Sequence, residues 1–250
     1  MKNLHRMGGG AGILAAIAAA WLVVGLAVVF PAVGLGLNVQ ANPNKYLPLI
    51  AKHQIAFWMV NVLGGLAAAL LAFVLLLALA DRFRDEAPGR AQIALAMGVV
   101  GVMGFAIGAF LKQVGLGYLA VLHHSNPNGA AIAFYAVEGT AGAFQALGGV
   151  ALGLGALVFG SVMLGTSDYG PVGYLSVVVG MPLIMSAFAP QPIVLLIAAL
   201  LAIAWLTWTG VLLWREGAPA DDAGRRTGDG RAMAGSLKVM NRGHGERRAI

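Results

Sequence analysis

Two charged residues stand where charge is costly. Glu138 lies inside a long apolar, glycine-rich stretch, residues 129–165, and Lys112 lies inside another, residues 93–122. An ion left alone among apolar side chains or lipid costs several kcal/mol or titrates to neutrality. Each therefore needs a counter-charge, a wet cavity or a proton transfer. On a helix turning 100° per residue, with Glu138 at zero, Gly142 falls at about 40°, Gln145 at about −20°, Gly149 at about 20° and Gly153 at about 60°. One stripe thus carries a carboxylate, an amide and three glycines. A matching stripe around Lys112 carries Gly101, Gly108 and Gly115, with Gly104 at its edge. Small residues let membrane helices approach closely, so both stripes are expected to face protein. The short turn 123–128 makes the two stretches an antiparallel hairpin, and Lys112 and Glu138 lie about equally far from it along a helix. The spacing predicts an ion pair, read either as a structural staple or, with Gln145, as a polar site for solute binding or proton relay.

Histidine supplies the second constellation. His53, His123 and His124 all fall at the outer ends of the second and third apolar stretches, and neutral imidazole is a common ligand for metals and haem. Sequential His123 and His124 point about 100° apart on a helix, which weakens a shared metal, and ordinary interfacial histidines are the competing reading. Cysteine is absent from the sequence, which removes disulfides, thiolate metal sites and cysteine nucleophiles. The chain carries no P-loop, no dinucleotide-binding glycine motif after a strand and no HExxH zinc motif. Ser161 has no histidine at comparable depth to serve as its base. The two halves of the chain show no persuasive internal repeat of the kind many transporters carry. The residues therefore point to no enzyme, no cofactor and no nucleic acid.

The elements that must position these residues follow from composition. Of 250 residues, 59% are hydrophobic and 10% charged, against about a quarter charged in soluble domains. Apolar runs of the roughly 20 residues that cross a bilayer as helix occur at 8–37, 55–80, 93–122, 129–165, 172–188 and 193–214. The first is too long for a signal-peptide core, so cleavage after 39–41 is the lesser reading. The expected fold is all-α, a polytopic bundle of six transmembrane helices. It follows a cytoplasmic lead, residues 1–7; the transmembrane domain occupies 8–215, and a disordered basic tail occupies 216–250. Residues 38–52 read as a polar loop. The third run is too long for one crossing and is expected either to project from the membrane or to break near 112–115. Trp205, Trp208 and Trp214 read as an interfacial aromatic belt. With both termini cytoplasmic, inside segments hold about thirteen lysines and arginines and outside segments only Lys45, Lys52 and Lys112, as the positive-inside rule requires.

Three short elements carry a family resemblance: Ala80-Asp81-Arg82-Phe83-Arg84 with Pro88, Gly170-Pro171-Val172-Gly173-Tyr174-Leu175, and residues 205–213, beginning Trp205-Leu206-Thr207-Trp208. Together they resemble a bacterial family of six-span membrane proteins catalogued only as a domain of unknown function. That resemblance implies the six-span topology and brings no activity, cofactor or ligand. The sequence as a whole is read as a bacterial inner-membrane protein, non-enzymatic, most simply a structural or interaction subunit. Its partners would be the lipid bilayer and a second copy or another membrane protein at the glycine-lined faces. The alternatives are a small-molecule or proton-coupled transporter using Lys112, Glu138 and Gln145, and a metal- or haem-binding protein at His53, His123 and His124.

Overall fold

A computed structural model describes residues 2–188 and 191–217. Among them there is no strand, and six helices are long and apolar enough to cross a membrane. The chain is a multi-pass membrane protein. The spans, numbered 1 to 6 in chain order, are Asn3–Ala32, Gln54–Arg82, Pro88–Leu122, Pro127–Met163, Gly170–Phe188 and Pro192–Glu216. The expected basic tail lies almost entirely outside the described residues, as does part of the expected turn at 189–192.

Starts of these helices are written in the sequence. Asn126 accepts a hydrogen bond from Gly129 N–H at 2.9 Å ahead of Pro127, satisfying one of the donors a helix leaves free at its first turn. Pro88 and Pro192 open spans 3 and 6, where a missing N–H costs nothing. Each span packs on its neighbours in sequence, and span 6 returns against span 1 to close a ring. The ring has two ends, named here for Arg82 and His123.

Two cores fill the bundle. The first takes side chains from all six spans, among them Ala15, Leu75, Ala94, Phe159, Val179 and Trp205, together with Phe83 and Tyr169 from the connections. It packs the Arg82 end with hydrocarbon. Trp205, expected in an interfacial belt, is buried there, and its indole N–H donates to Ser176 Oγ at 2.6 Å. An indole N–H removed from water needs an acceptor, and span 5 provides one; Trp208 and Trp214 do remain exposed.

The second core lies at the His123 end and draws only on spans 1 to 4 and the segment between spans 1 and 2. That segment is not the loop expected. After a turn with Gly34 at φ +83°, where only glycine is unstrained, residues Pro43–Lys52 form a helix, here called the cap helix. Asn42 caps it by accepting from Asn44 N–H at 3.1 Å. Tyr46, Leu47 and Ile50 recur at helical spacing and are buried against Leu116, Leu119 and Phe134. Its polar loop-like composition hid one apolar face.

Span 3 does not break at 112–115. It runs continuously, with a π-helical turn at Lys112–Leu116. Two more π-helical stretches, Gly25–Val29 and Met59–Leu66, lie in the same half of spans 1 and 2. Each widened turn departs from the regular hydrogen-bond ladder, and side chains bond to carbonyls at or beside the stretch Met59–Leu66. Trp21 Nε1 donates to Met59 O at 3.1 Å, and Asn61 Nδ2 donates to Phe57 O at 2.9 Å.

The lengths are unequal. Span 4 has 37 residues and span 5 has 19, about 55 Å against about 28 Å of helix. Gly160 faces Gly173, Gly153 faces Gly180, and Gly149 faces Leu183. Extended, this register brings Phe188 opposite about residue 145, leaving roughly 18 residues, or about 27 Å, of span 4 without span 5 beside them.

Close approach predicts a graded response to side chains placed on glycine. A Cβ at Gly104 would stand 2.6 Å from Phe144 O and 2.8 Å from Gly148 Cα, both backbone, whereas one at Gly89 meets nothing within 4 Å. Gly104→Leu is expected to cost about 1–3 kcal/mol and lower the thermal unfolding midpoint in detergent by about 3–10 °C, with Gly89→Leu unchanged. Equal midpoints would contradict the packing.

Candidate functional site at the Lys112–Glu138 pair

Lys112 opens the π-helical turn of span 3, and Glu138 lies three turns into span 4 from its Asn126 cap. Lys112 Nζ stands 3.1 Å from Glu138 Oε2, and the two side chains retain 28% and 30% exposure. The spacing on the hairpin thus brings the two charges together, and the geometry is that of a partly exposed ion pair. Tyr46 of the cap helix lies on the same end, its ring edge-on to Phe134 with centroids 6.1 Å apart. Burial pushes the Tyr46 phenol well above its ordinary range, and the Glu138 charge adds to that effect. The cap helix therefore closes over one side of the hairpin with a neutral hydroxyl-bearing ring.

Gln145 lies near the pair without joining it. Its Cγ is what a Cβ on Gly108 would meet at 2.6 Å, which places the amide stem between spans 3 and 4, one turn of span 3 from Lys112. Gly101, Gly104 and Gly108 all face span 4, as expected. The expected span 4 stripe does not form one interface. Span 3 instead meets Ala141, Gly148 and Leu152, while Gly149 and Gly153 face span 5, where added Cβ atoms would stand 2.9 Å from Leu183 O and 2.6 Å from Gly180 O. Gly142 has nothing within 4 Å of where its Cβ would be. The correction has a simple cause. Span 4 is held between two neighbours, so its apolar stripe divides between them, and span 5 ends before it reaches Gly142.

The histidines occupy separate elements. His123 Nε2 lies 3.4 Å from Asn44 Oδ1, tying the hairpin turn to the cap helix. His53 sits at the junction of the cap helix and span 2, and His124 follows His123 in the turn. Among the described residues, no three histidine, aspartate or glutamate side chains converge as a metal site would require.

Sequence reasoning passed over a denser polar cluster at the opposite end. Arg82 Nη1 lies 2.7 Å from Glu86 Oε1, and its Nε lies 3.1 Å from Glu216 Oε2. The same guanidinium lies over the rings of Phe83 and Tyr169, at 5.4 and 5.5 Å. His5 Nε2 and Asp81 Oδ2 stand 3.3 Å apart, close but not aligned as a hydrogen bond, and Arg6 lies 5.1 Å from the Trp214 ring. Burial, then Glu216, pushes the Tyr169 phenol above its usual range. This cluster joins the ends of spans 1, 2 and 6 and the turn before span 5. Counting arginines for topology missed it, although Asp81-Arg82 and Glu216 at helix ends were the available signal.

Comparison of the chain with protein-family models, with curated proteins and with solved structures found no match.

Two stability outcomes follow. A partly exposed pair contributes about 1 kcal/mol or less. In a double-mutant cycle, Lys112→Met and Glu138→Gln should thus be non-additive by about 0.5–1 kcal/mol; strict additivity would remove the pairing. Arg82→Ala strips two carboxylates and two rings of one shared partner and should cost more, about 1–3 kcal/mol, read from denaturant unfolding of the same preparation. A smaller loss than that of Lys112→Met would reverse the ranking of the two clusters.

Proposed function

We propose that the chain is a non-enzymatic integral membrane subunit that holds another membrane protein, or a second copy of itself, against the half of span 4 left open by span 5. The observation that carries this is the surface of that half. Tyr135, Ala136, Gly139, Thr140 and Ala143 are exposed, and Gly142 is half-buried with nothing near it. Small residues let membrane helices approach closely, and in its other half the same helix meets span 3 through Gly148 and Gly155 and span 5 through Gly149, Gly153 and Gly160. The outer half of span 6, Ile193 with Leu195 to Ile197, is exposed as well, which widens the open side. The topology that fits the lysine and arginine distribution places both termini in the cytoplasm and the His123 end outside, in a bacterial inner membrane, as the family resemblance also suggests.

A second reading, a small-molecule or proton-coupled transporter, draws on the exposure of the Lys112–Glu138 pair and on three π-helical stretches in the same half of the bundle, since such turns gather at functional sites. Against it stands the hydrocarbon packing of the Arg82 end, which closes the axis of the ring. The histidine reading draws no support from the arrangement of His53, His123 and His124.

The natural lack of cysteine makes the test clean. Gly142→Cys labelled with a maleimide–benzophenone and irradiated in native membranes should give one discrete adduct above the 25.6 kDa chain, and Gly149→Cys, which faces span 5, should not. A lone monomer band from Gly142→Cys would overturn the proposal. Solute-driven or proton-driven flux in proteoliposomes, abolished by Glu138→Gln, would instead favour the transporter.

A further inference from the structure

Two open grooves flank the start of span 2 at the His123 end, and both are walled by Gln54 and Ile55. Ile55 stands 77% exposed as the ridge between them. The larger groove, about 590 Å³, runs between the end of span 1 and the first turns of span 2. This volume is ordinary for a small-molecule site. Val29, Ile55 and Met59 line it with apolar surface, and Lys52 with the imidazole of His53 adds its polar lining. Trp21 forms one wall and is fixed there by its hydrogen bond to Met59 O.

Charge decides what fits. Lys52 ends the cap helix, is exposed, and has no carboxylate partner among the described residues. Lysine carries its ammonium at the polar boundary while its stem lies along apolar surface, and a tryptophan beside it is typical of headgroup depth. A cation and an imidazole over an apolar trough match an amphiphile with an anionic head. The smaller groove, about 420 Å³ and walled by Phe57, Trp58 and Gln113 on the far side of Ile55, gives a second chain a place to lie. We propose that the groove between spans 1 and 2 binds one anionic phospholipid, its phosphate on Lys52 and His53 and an acyl chain against Val29, Ile55 and Met59. This site is independent of the docking face on span 4.

The test uses the full chain, purified in detergent, stripped of lipid and titrated with phosphatidylglycerol, phosphatidylcholine or inorganic phosphate, with bound molecules counted by native mass spectrometry. One phosphatidylglycerol should be retained with about fivefold preference over phosphatidylcholine, the factor expected for one lysine at a membrane surface. Lys52→Glu should erase the preference. Ala56→Trp, which fills the groove away from the cation, should weaken both lipids. Unfolding midpoints identify any variant that fails to fold, in which case Lys52→Ala and Ala56→Leu replace them. Equal retention of the two lipids, an unchanged preference in Lys52→Glu, or displacement of the lipid by inorganic phosphate alone would overturn the proposal.

Discussion

Unequal helix length is the constraint from which the rest of this structure follows. Span 4 is 37 residues long and its partner span 5 only 19. Helices of one bundle meet only where both exist, so span 4 continues past the end of span 5 with span 3 on one side and no span on the other. That excess is what the second core stabilises. Phe30, Leu47, Phe57, Leu116 and Phe134 pack together at the His123 end, and the cap helix lies over them. At about 25 cal/mol per Å² of apolar surface removed from water or headgroup, a few such aromatic and leucine side chains are enough to hold a short helix in place. The other side of span 4 receives no such cover.

The two polar clusters differ for the same reason. At the Arg82 end every helix is present, the connections are short, and one guanidinium is shared among Glu86, Glu216, Phe83 and Tyr169. Such a cluster fastens ends that already converge. Lys112 and Glu138 stand on the hairpin where neighbours are missing, and they keep nearly a third of their surface. Their mutual attraction compensates the charge of each without sealing either away. A pair of that kind tolerates a partner surface or water nearby, whereas a deeply buried pair would tolerate neither.

Much of this was legible in the sequence, and what was not has physical causes. Six spans follow from apolar length, and the pairing of Lys112 with Glu138 follows from a short turn and equal distances along two helices. Gly101, Gly104 and Gly108 were assigned to the correct face because one neighbour covers that face throughout. Span 4 defeated the same reasoning, since a helical wheel reports which residues share a side but not how many helices share it, nor where a neighbour stops. Gly142, Gly149 and Gly153 therefore looked equivalent and are not. The cap helix escaped because Asn38, Asn42, Asn44, Lys45 and two prolines interrupt the apolar run of residues 38–52, although Asn42-Pro43 and the spacing of Tyr46, Leu47 and Ile50 mark its start and buried face. Trp205 was assigned to the belt by residue type; Ser176 on span 5, invisible to a single-helix reading, draws it inside.

What covers the open half of span 4 in the membrane decides whether the chain is a docking subunit. A nitroxide attached at Gly142→Cys, in the complete protein held in native-membrane nanodiscs, reports its surroundings through collision with oxygen, which concentrates in lipid, and with a water-soluble nickel chelate. Contact with another protein predicts low accessibility to both reagents. High oxygen accessibility would mean that the face meets only lipid, and high nickel accessibility would mean that it lines a hydrated path; either result would contradict the docking role.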